Sequence, residues 1–260
     1  MKAFLKKKEE IQNKLKKQPV KAVSTKTAIL LGLNYPGSFY SLKGCINDVE
    51  NGSKYFNQIG YNVKLLTDNQ VSKNYNVVEI LNELGSCPSS NLIFHYSGHG
   101  TQVRDLNGDE KDGYDEAVYS KDGLTITDDQ VNLALSLFPE NKKVFLIFDC
   151  CHSGTIADLP FVYTEKDGVQ TEQVKKPMKA KIIAISGCMD KQTSADVTSQ
   201  NISYGALSHT LYTILKENGG QLDWRQLYLK LLVEMRKQGY EQYPVLSASD
   251  PTLFYQKVEF

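Results

Sequence analysis

From residue 27 onward the chain alternates short unbroken apolar runs with longer stretches whose apolar residues recur every three to four positions. "AILLGL" (residues 28–33) has no polar alternation, so it predicts a strand covered on both faces. Val49, Phe56 and Ile59 share one helical face, "YNVKLL" (61–66) returns to a strand, and Val77, Ile80, Leu81 and Leu84 repeat the i, i+3, i+4, i+7 spacing of a helix. "NLIFHYSGHG" (91–100), "KKVFLIFDCCHSG" (142–154) and "AKIIAIS" (180–186) are further strand-like runs, the first two separated by a polar loop and a helix from about residue 128 to 138. Helical patterns follow around 204–216 and 223–237, each with a glycine nearby as a stop. Strand, helix, strand in recurrence predicts an α/β fold: a mainly parallel central sheet, right-handed crossovers, helices on both faces.

The segment 164–177, "TEKDGVQTEQVKKP", is less hydrophobic and reads as an exposed loop inside the domain. Residues 1–26 are dense in lysine with a weak helical stripe (Leu5, Ile11, Leu15), which predicts a solvated extension ahead of a single domain at 27–260. The formal net charge is zero, so no global field draws the chain to nucleic acid or an anionic membrane. No apolar run approaches the roughly 18 residues of a membrane span, and the N-terminus lacks a signal-peptide core, so an intracellular, cytoplasmic protein is expected. Five cysteines at irregular spacing, two of them adjacent, argue for reduced thiols over a disulfide framework.

In open α/β sheets functional groups collect beyond the carboxyl ends of the strands. Here one such end carries His95 and His99, and another Cys150, Cys151 and His152. If the two strands are neighbours, a thiol and an imidazole meet over one crevice, where the imidazole can take the thiol proton and return it to a leaving amine. Gly98, Gly100 and Gly154 allow backbone to approach a substrate closely, and the N–H groups of Gly100 and Cys151 are candidates for an oxyanion hole. Zinc fits poorly, because the cysteines are adjacent and no second ligand pair completes a tetrahedral set. Strand alternation suits His95 and Cys150 to the core and leaves His99 and Cys151 as the reactive pair. Asp149, two residues before Cys151, can line a pocket beside the nucleophile and favour a cationic side chain.

The stretch "DLNGDEKDGYDE" (105–116) crowds hard oxygen ligands as a calcium site does. Asp105, Asn107, Asp109 and Glu116 fall at the first, third, fifth and twelfth positions of an EF-hand loop, but Glu110 replaces the turn glycine and a strand exit replaces the entering helix. In "TDDQ" (127–130), Thr127 and Gln130 also form a capping box, for which acidic first-turn residues are ordinary.

The motifs "HYSGHGTQ", "DGYDEAVYSKDG", "ITDDQ" and "DCCHSGTIADLPF", with weaker echoes in "GCINDV" and "QYPVLSAS", resemble the metacaspases, caspase-fold cysteine peptidases, over residues 27–260. The resemblance implies His99 as general acid/base and Cys151 as nucleophile, with Cys150 where many relatives have serine. It implies an Arg/Lys-accepting pocket of Asp48 and Asp149 lined by Ser97 and Cys45; taken alone, Asp48 is equally a first-turn charge offsetting a helix dipole. It also implies activation by Ca2+ held by Asp128, Asp129 and Asp158, with a fourth ligand from Asp112 or, preferably, Asp115. A monomer acting on peptides, with self-cleavage at Lys166, Lys175, Lys176 or the lysine arm, completes the expectation.

Overall fold

The computed structural model describes residues 25–108, 110, 113–151, 154–171, 178–187, 196–199, 202–240 and 243–260. Most of the lysine-rich extension therefore lies outside the described residues, as do Asp109, Asp112, His152, Lys175 and Lys176.

The apolar runs form a central sheet. β1 (Lys26–Gly32), β2 (Asn62–Thr67), β3 (Asn91–Ser97), β7 (Lys143–Asp149) and β10 (Lys181–Ser186) lie parallel in the order β2-β1-β3-β7-β10. β13 (Val245–Ala248) pairs antiparallel with β10, and β8 (Phe161–Thr164) and β9 (Gly168–Thr171) extend that edge. The loop expected over 164–177 is corrected here: residues 168–171 are the outermost strand, a polar edge on which only Val169 packs against the core, so its apolar signal is too thin to read.

Helices cover both faces because both faces of the parallel strands are apolar. On one face α1 (Cys45–Gln58), α4 (Ala206–Asn218) and α5 (Trp224–Lys237) bury Val49, Phe56, Leu211 and Leu231 against Ile93, Phe145 and Ile147. On the other, α2 (Val77–Ser86) and α3 (Asp128–Ser136) bury Ile80, Leu84 and Val131 against Phe94, Leu146 and Phe148. The helix starts follow local chemistry: Asn76 accepts from Val78 N–H at 3.0 Å, and Asp223 from Gln226 N–H at 2.7 Å. At α3 the capping box expected from Thr127 and Gln130 is present, with Thr127 N–H donating to Gln130 Oε1 at 3.1 Å.

The second face also carries a small antiparallel sheet, β4 (Gly100–Arg104), β5 (Tyr114–Tyr119) and β6 (Thr125–Thr127), from the stretch that reads as a polar loop. Its strands are short and face solvent at one end, which hides their period. A hairpin, β11 (Asp196–Ser199) and β12 (Ile202–Gly205), leads directly into α4.

Candidate active site

The site begins with strand register. β3 and β7 are direct parallel neighbours with Ser97 opposite Asp149, and Gly98 N–H donates to Asp149 O at 3.3 Å. His99 and Cys151 each lie two residues beyond that last pair, so the two chains leave the sheet from neighbouring strands with these residues at equivalent positions in sequence. Both residues are half-buried, accessible to a substrate and shielded from bulk water. A Cβ on Gly100 would stand 1.8 Å from Cys151 O and 3.2 Å from Cys150 Sγ, so the backbones on either side of the pair are in contact and only glycine fits.

Alternation sorts the neighbouring residues as expected. Cys150 is fully buried in the apolar layer beneath the small sheet. His95 is fully buried on the opposite face, its Nε2 3.0 Å from Ser208 Oγ and its Nδ1 2.9 Å from Tyr212 Oη. Burial holds its pKa down to about 3, so it stays a neutral core imidazole.

His99 is clamped by groups that the sequence does not single out. Its Nε2 lies 2.6 Å from Tyr40 O; a carbonyl only accepts, so Nε2 carries the proton and Nδ1 keeps its lone pair. The imidazole is walled by Tyr35 at 5.0 Å, Tyr40 at 5.8 Å and Tyr119 at 6.4 Å between ring centroids. Its backbone is fixed as well: Tyr96 Oη donates to His99 O at 2.8 Å, His99 N–H reaches Tyr35 Oη at 3.3 Å, and Tyr119 N–H donates to His99 O at 3.0 Å. Tyr35 and Tyr96 hydroxyls are 2.9 Å apart, and burial holds both well above the ordinary phenol range, so they remain neutral donors. The main signal for this clamp is the cluster of aromatics in "NYPGSFYSL" (34–42), but a backbone carbonyl leaves no mark on a sequence.

Beside the pair, Asp48 and Asp149 are almost wholly buried. Asp48 Oδ2 accepts from Ser97 Oγ at 2.8 Å and its Oδ1 from Gly205 N–H at 2.8 Å; Asp149 Oδ2 accepts from Ser208 N–H at 2.8 Å in the first turn of α4. A Cβ on Gly205 would fall 2.1 Å from Asp149 Oδ2 and 2.8 Å from Asp48 Oδ2, so both carboxylates border one point. Their charge adds to burial in raising the Tyr212 hydroxyl. Cys45, buried, stands one helical turn before Asp48 on α1. Two desolvated carboxylates side by side favour a cation that can bond to both. Gly205 and Ser208, whose N–H groups bind these carboxylates, carry no recognisable motif.

A separate acidic cluster lies beside the small sheet. Among the described residues, Glu110, Asp128 and Asp158 each bring a carboxylate oxygen within 4.8 Å of the others. Asp128 is fully buried and accepts from Glu116 N–H at 3.0 Å and Asp129 N–H at 2.7 Å; Asp158 adopts the left-handed conformation, φ 51°. The set brings together two of the expected ligands, Asp128 and Asp158, and adds Glu110, whose position in the loop had marked only a departure from the EF-hand pattern. Asp129 Oδ2 accepts from Asn107 Nδ2 at 2.6 Å, and Asp115 is buried on β5 beside Glu116; neither belongs to the three-carboxylate set. Asp112 lies outside the described residues. The loop is no EF-hand: Asp105 folds it by accepting from the N–H groups of Asn107, Gly108 and Glu110 at 2.7–2.9 Å. Three hard anionic donors in one place suit Ca2+ and repel one another without a cation.

With the geometry in hand, similarity to known proteins is informative. A family model for the caspase domain matches residues 25–255. Metacaspase-1 of Meyerozyma guilliermondii is 33% identical over 87% of this chain and 70% of its own length; Metacaspase-1 of Yarrowia lipolytica is 34% identical over 87% of this chain and 62% of its own. This chain thus spans less than two thirds of the second relative. Among solved structures, protein GSU0716 from Geobacter sulfurreducens superposes with a TM-score of 0.66 at 24% identity, covering 90% of this chain and 99% of that one. Caspase-1 from Spodoptera frugiperda superposes with a TM-score of 0.56 at 12% identity, covering 86% and 87%. At these identities the two structures share the fold.

Proposed function

The chain belongs to the metacaspases, cysteine peptidases built on a caspase domain, and from that premise we propose that it is a calcium-activated endopeptidase cleaving after Arg or Lys through His99 and Cys151. The observation that carries the reading is the register of β3 and β7, neighbouring strands from whose last pair His99 and Cys151 are each two residues on.

His99 Nδ1 takes the Cys151 proton, and the thiolate adds to the scissile carbonyl. The Tyr40 carbonyl, bonded at 2.6 Å to the other ring nitrogen, fixes the tautomer and steadies the imidazolium that results. The N–H groups of Gly100 and Cys151 receive the oxyanion, whose stabilisation is worth about 3–4 kcal/mol per preorganised donor. As the tetrahedral intermediate collapses, His99 protonates the leaving nitrogen and a thioester remains on Cys151; water then attacks with His99 as base. Asp48 and Asp149 hold the guanidinium or ammonium of the residue before the scissile bond, with Ser97 and Cys45 on the same walls.

Glu110, Asp128 and Asp158 are the residues that would hold Ca2+, with Asp115, Asp129 and Asp112 close in sequence. A bound cation supplies charge neutralisation there. The protein's own connection to the chemistry runs through β5: Glu116 N–H binds Asp128, Glu116 Oε2 accepts from Thr155 Oγ1 at 2.6 Å on the segment following the nucleophile, and Tyr119 N–H binds His99 O. Ordering one end of β5 therefore biases both catalytic segments, a population shift. Self-cleavage belongs to the same reading. Lys166 sits in the tight β8–β9 turn, a poor extended substrate, which favours the lysines at 175, 176 and in the N-terminal arm.

The test is turnover of a fluorogenic peptide with Arg before the scissile bond, with and without added calcium, beside peptides carrying Asp or Asn there. Calcium-dependent cleavage of the Arg peptide alone is expected, with self-clipping in the same incubation read by mass. Cleavage of the Asp peptide, or turnover indifferent to calcium, contradicts the proposal.

A further inference from the structure

The pocket and the histidine lie on opposite sides of the sheet's carboxyl edge. Asp48 accepts from Ser97 and from Gly205 N–H at the end of β12, and Asp149 from Ser208 N–H of α4, on the α1/α4 face, whereas the His99 ring stands among Tyr35, Tyr40 and Tyr119, over the face that carries the small sheet. A substrate with its basic side chain in the pocket has its leaving nitrogen toward His99, because the general acid must reach that atom. The segments beside His99 on that side are the β1–α1 loop, through Tyr40, and the β5–β6 turn that Tyr40 reaches at Gly123.

Large apolar groups stand exposed there. Phe39 is 112% exposed beside the Tyr40 that anchors His99, Tyr40 is 52% exposed and Leu124 51%. Tyr40 reaches across to the turn, its hydroxyl 3.7 Å from where a Cβ on Gly123 would stand. Leu106 also stands out in the small-sheet loop at 90%. A fully exposed phenylalanine is an ordinary feature when isolated; here it is next in sequence to Tyr40, whose ring centroid lies 5.8 Å from that of His99, and the exposed Leu124 follows the Gly123 that Tyr40 reaches.

We propose that Phe39, Tyr40 and Leu124 form the subsite for the residue that follows the scissile bond, and that it selects a large apolar side chain. This rests on the peptidase reading above and adds the specificity of the leaving-group side. Occupancy is coupled to catalysis by position, since the Tyr40 whose ring lines the subsite also holds His99 through its carbonyl.

The experiment uses acyl transfer. Calcium-loaded protein is given an acyl-arginine methyl ester, which forms the thioester on Cys151 with loss of methanol. Leucinamide and aspartic acid α-amide then compete as acceptors. The acceptor amine adds to the thioester carbonyl, its proton passes to His99, the C–S bond breaks and Cys151 leaves as thiolate, so the new peptide bond reports which acceptor occupied the subsite. Both products arise from one acyl-enzyme, so their ratio is independent of total activity. Leucinamide is expected to win by about fivefold or more, as burial of an isobutyl group predicts. Phe39→Ala should bring the ratio toward one, and Phe39→Lys should turn it toward the aspartyl acceptor. Ester hydrolysis with a ratio near one in the unaltered protein, or a ratio that Phe39→Ala does not move, overturns the subsite alone. Absence of ester hydrolysis overturns the peptidase reading and the subsite with it.

Discussion

At the residue scale the two adjacent cysteines have opposite fates, and strand parity decides which is which. Cys150 continues the inward alternation of β7 into the apolar layer, while Cys151 is already past the strand's end. Cys150→Ala is therefore expected to lower stability by about 1 kcal/mol through a small cavity and to retain activity, whereas Cys151→Ala should leave none. Denaturant midpoints and turnover of the Arg peptide separate the two, and loss of activity in a stably folded Cys150→Ala variant contradicts the assignment. The histidines divide in the same way. His95 is neutral in the fold with its pKa lowered to about 3, so between that value and its ordinary 6.5 the unfolded chain binds a proton that the folded one refuses. Stability from this residue is intact above about pH 6.5 and falls as pH drops through that window, with a slope approaching about 1.4 kcal/mol per pH unit. Unfolding free energies of the protein and of His95→Gln between pH 4 and 7.5 should converge as pH falls, carboxylate contributions cancelling in the comparison. Parallel curves would show that His95 does not titrate this way. His99 and Cys151 were legible as types in a motif; Tyr40 was not, because it acts through a main-chain atom.

At the scale of elements, the unbroken apolar runs and the 3.6-residue stripes identified the parallel strands and all the helices that cover them, since burial on two faces leaves an unmixed signal. Strands of three to six residues that are polar along an edge, or that bury charged residues as β5 buries Asp115 and Glu116, left no such trace, which is why β4–β6 and β9 went unread. That blind spot concealed a member of the carboxylate cluster. Glu110 enters the carboxylate cluster only because Asp105 folds the loop back, a consequence of side-chain-to-backbone hydrogen bonds that spacing does not display. Titration calorimetry should find calcium affinity lowered about tenfold or more by Glu110→Gln or Asp128→Asn, as loss of an anionic ligand dictates. Unchanged affinity in Glu110→Gln would move the site toward Asp115 and Asp112. Removing calcium should also slow turnover without altering preference for Arg, because the cluster touches the catalytic segments through β5 and not the Asp48–Asp149 pocket.

Across the whole molecule, the sheet edge is a divide. Asp48 and Asp149 lie on the α1/α4 side; His99, its aromatic walls and the Glu110–Asp128–Asp158 carboxylates lie on the small-sheet side; Cys151 follows the end of β7 at the edge itself. Neighbouring strands β3 and β7 in matched register bring His99 and Cys151 to one edge, while α1, β12, α4 and the β1–α1 loop of the same copy supply Asp48 and the hydrogen-bond partners around them. The central claim is that Cys151, paired with His99 and flanked by an Asp48–Asp149 pocket, is the nucleophile. It is tested most directly by mass-mapping the adduct formed when calcium-loaded protein meets a peptidyl-arginine fluoromethyl ketone. A single adduct on Cys151, lost in His99→Ala and weakened in Asp149→Asn, is the predicted result. An adduct on Cys150 or Cys45, or labelling that survives His99→Ala at full rate, would contradict it.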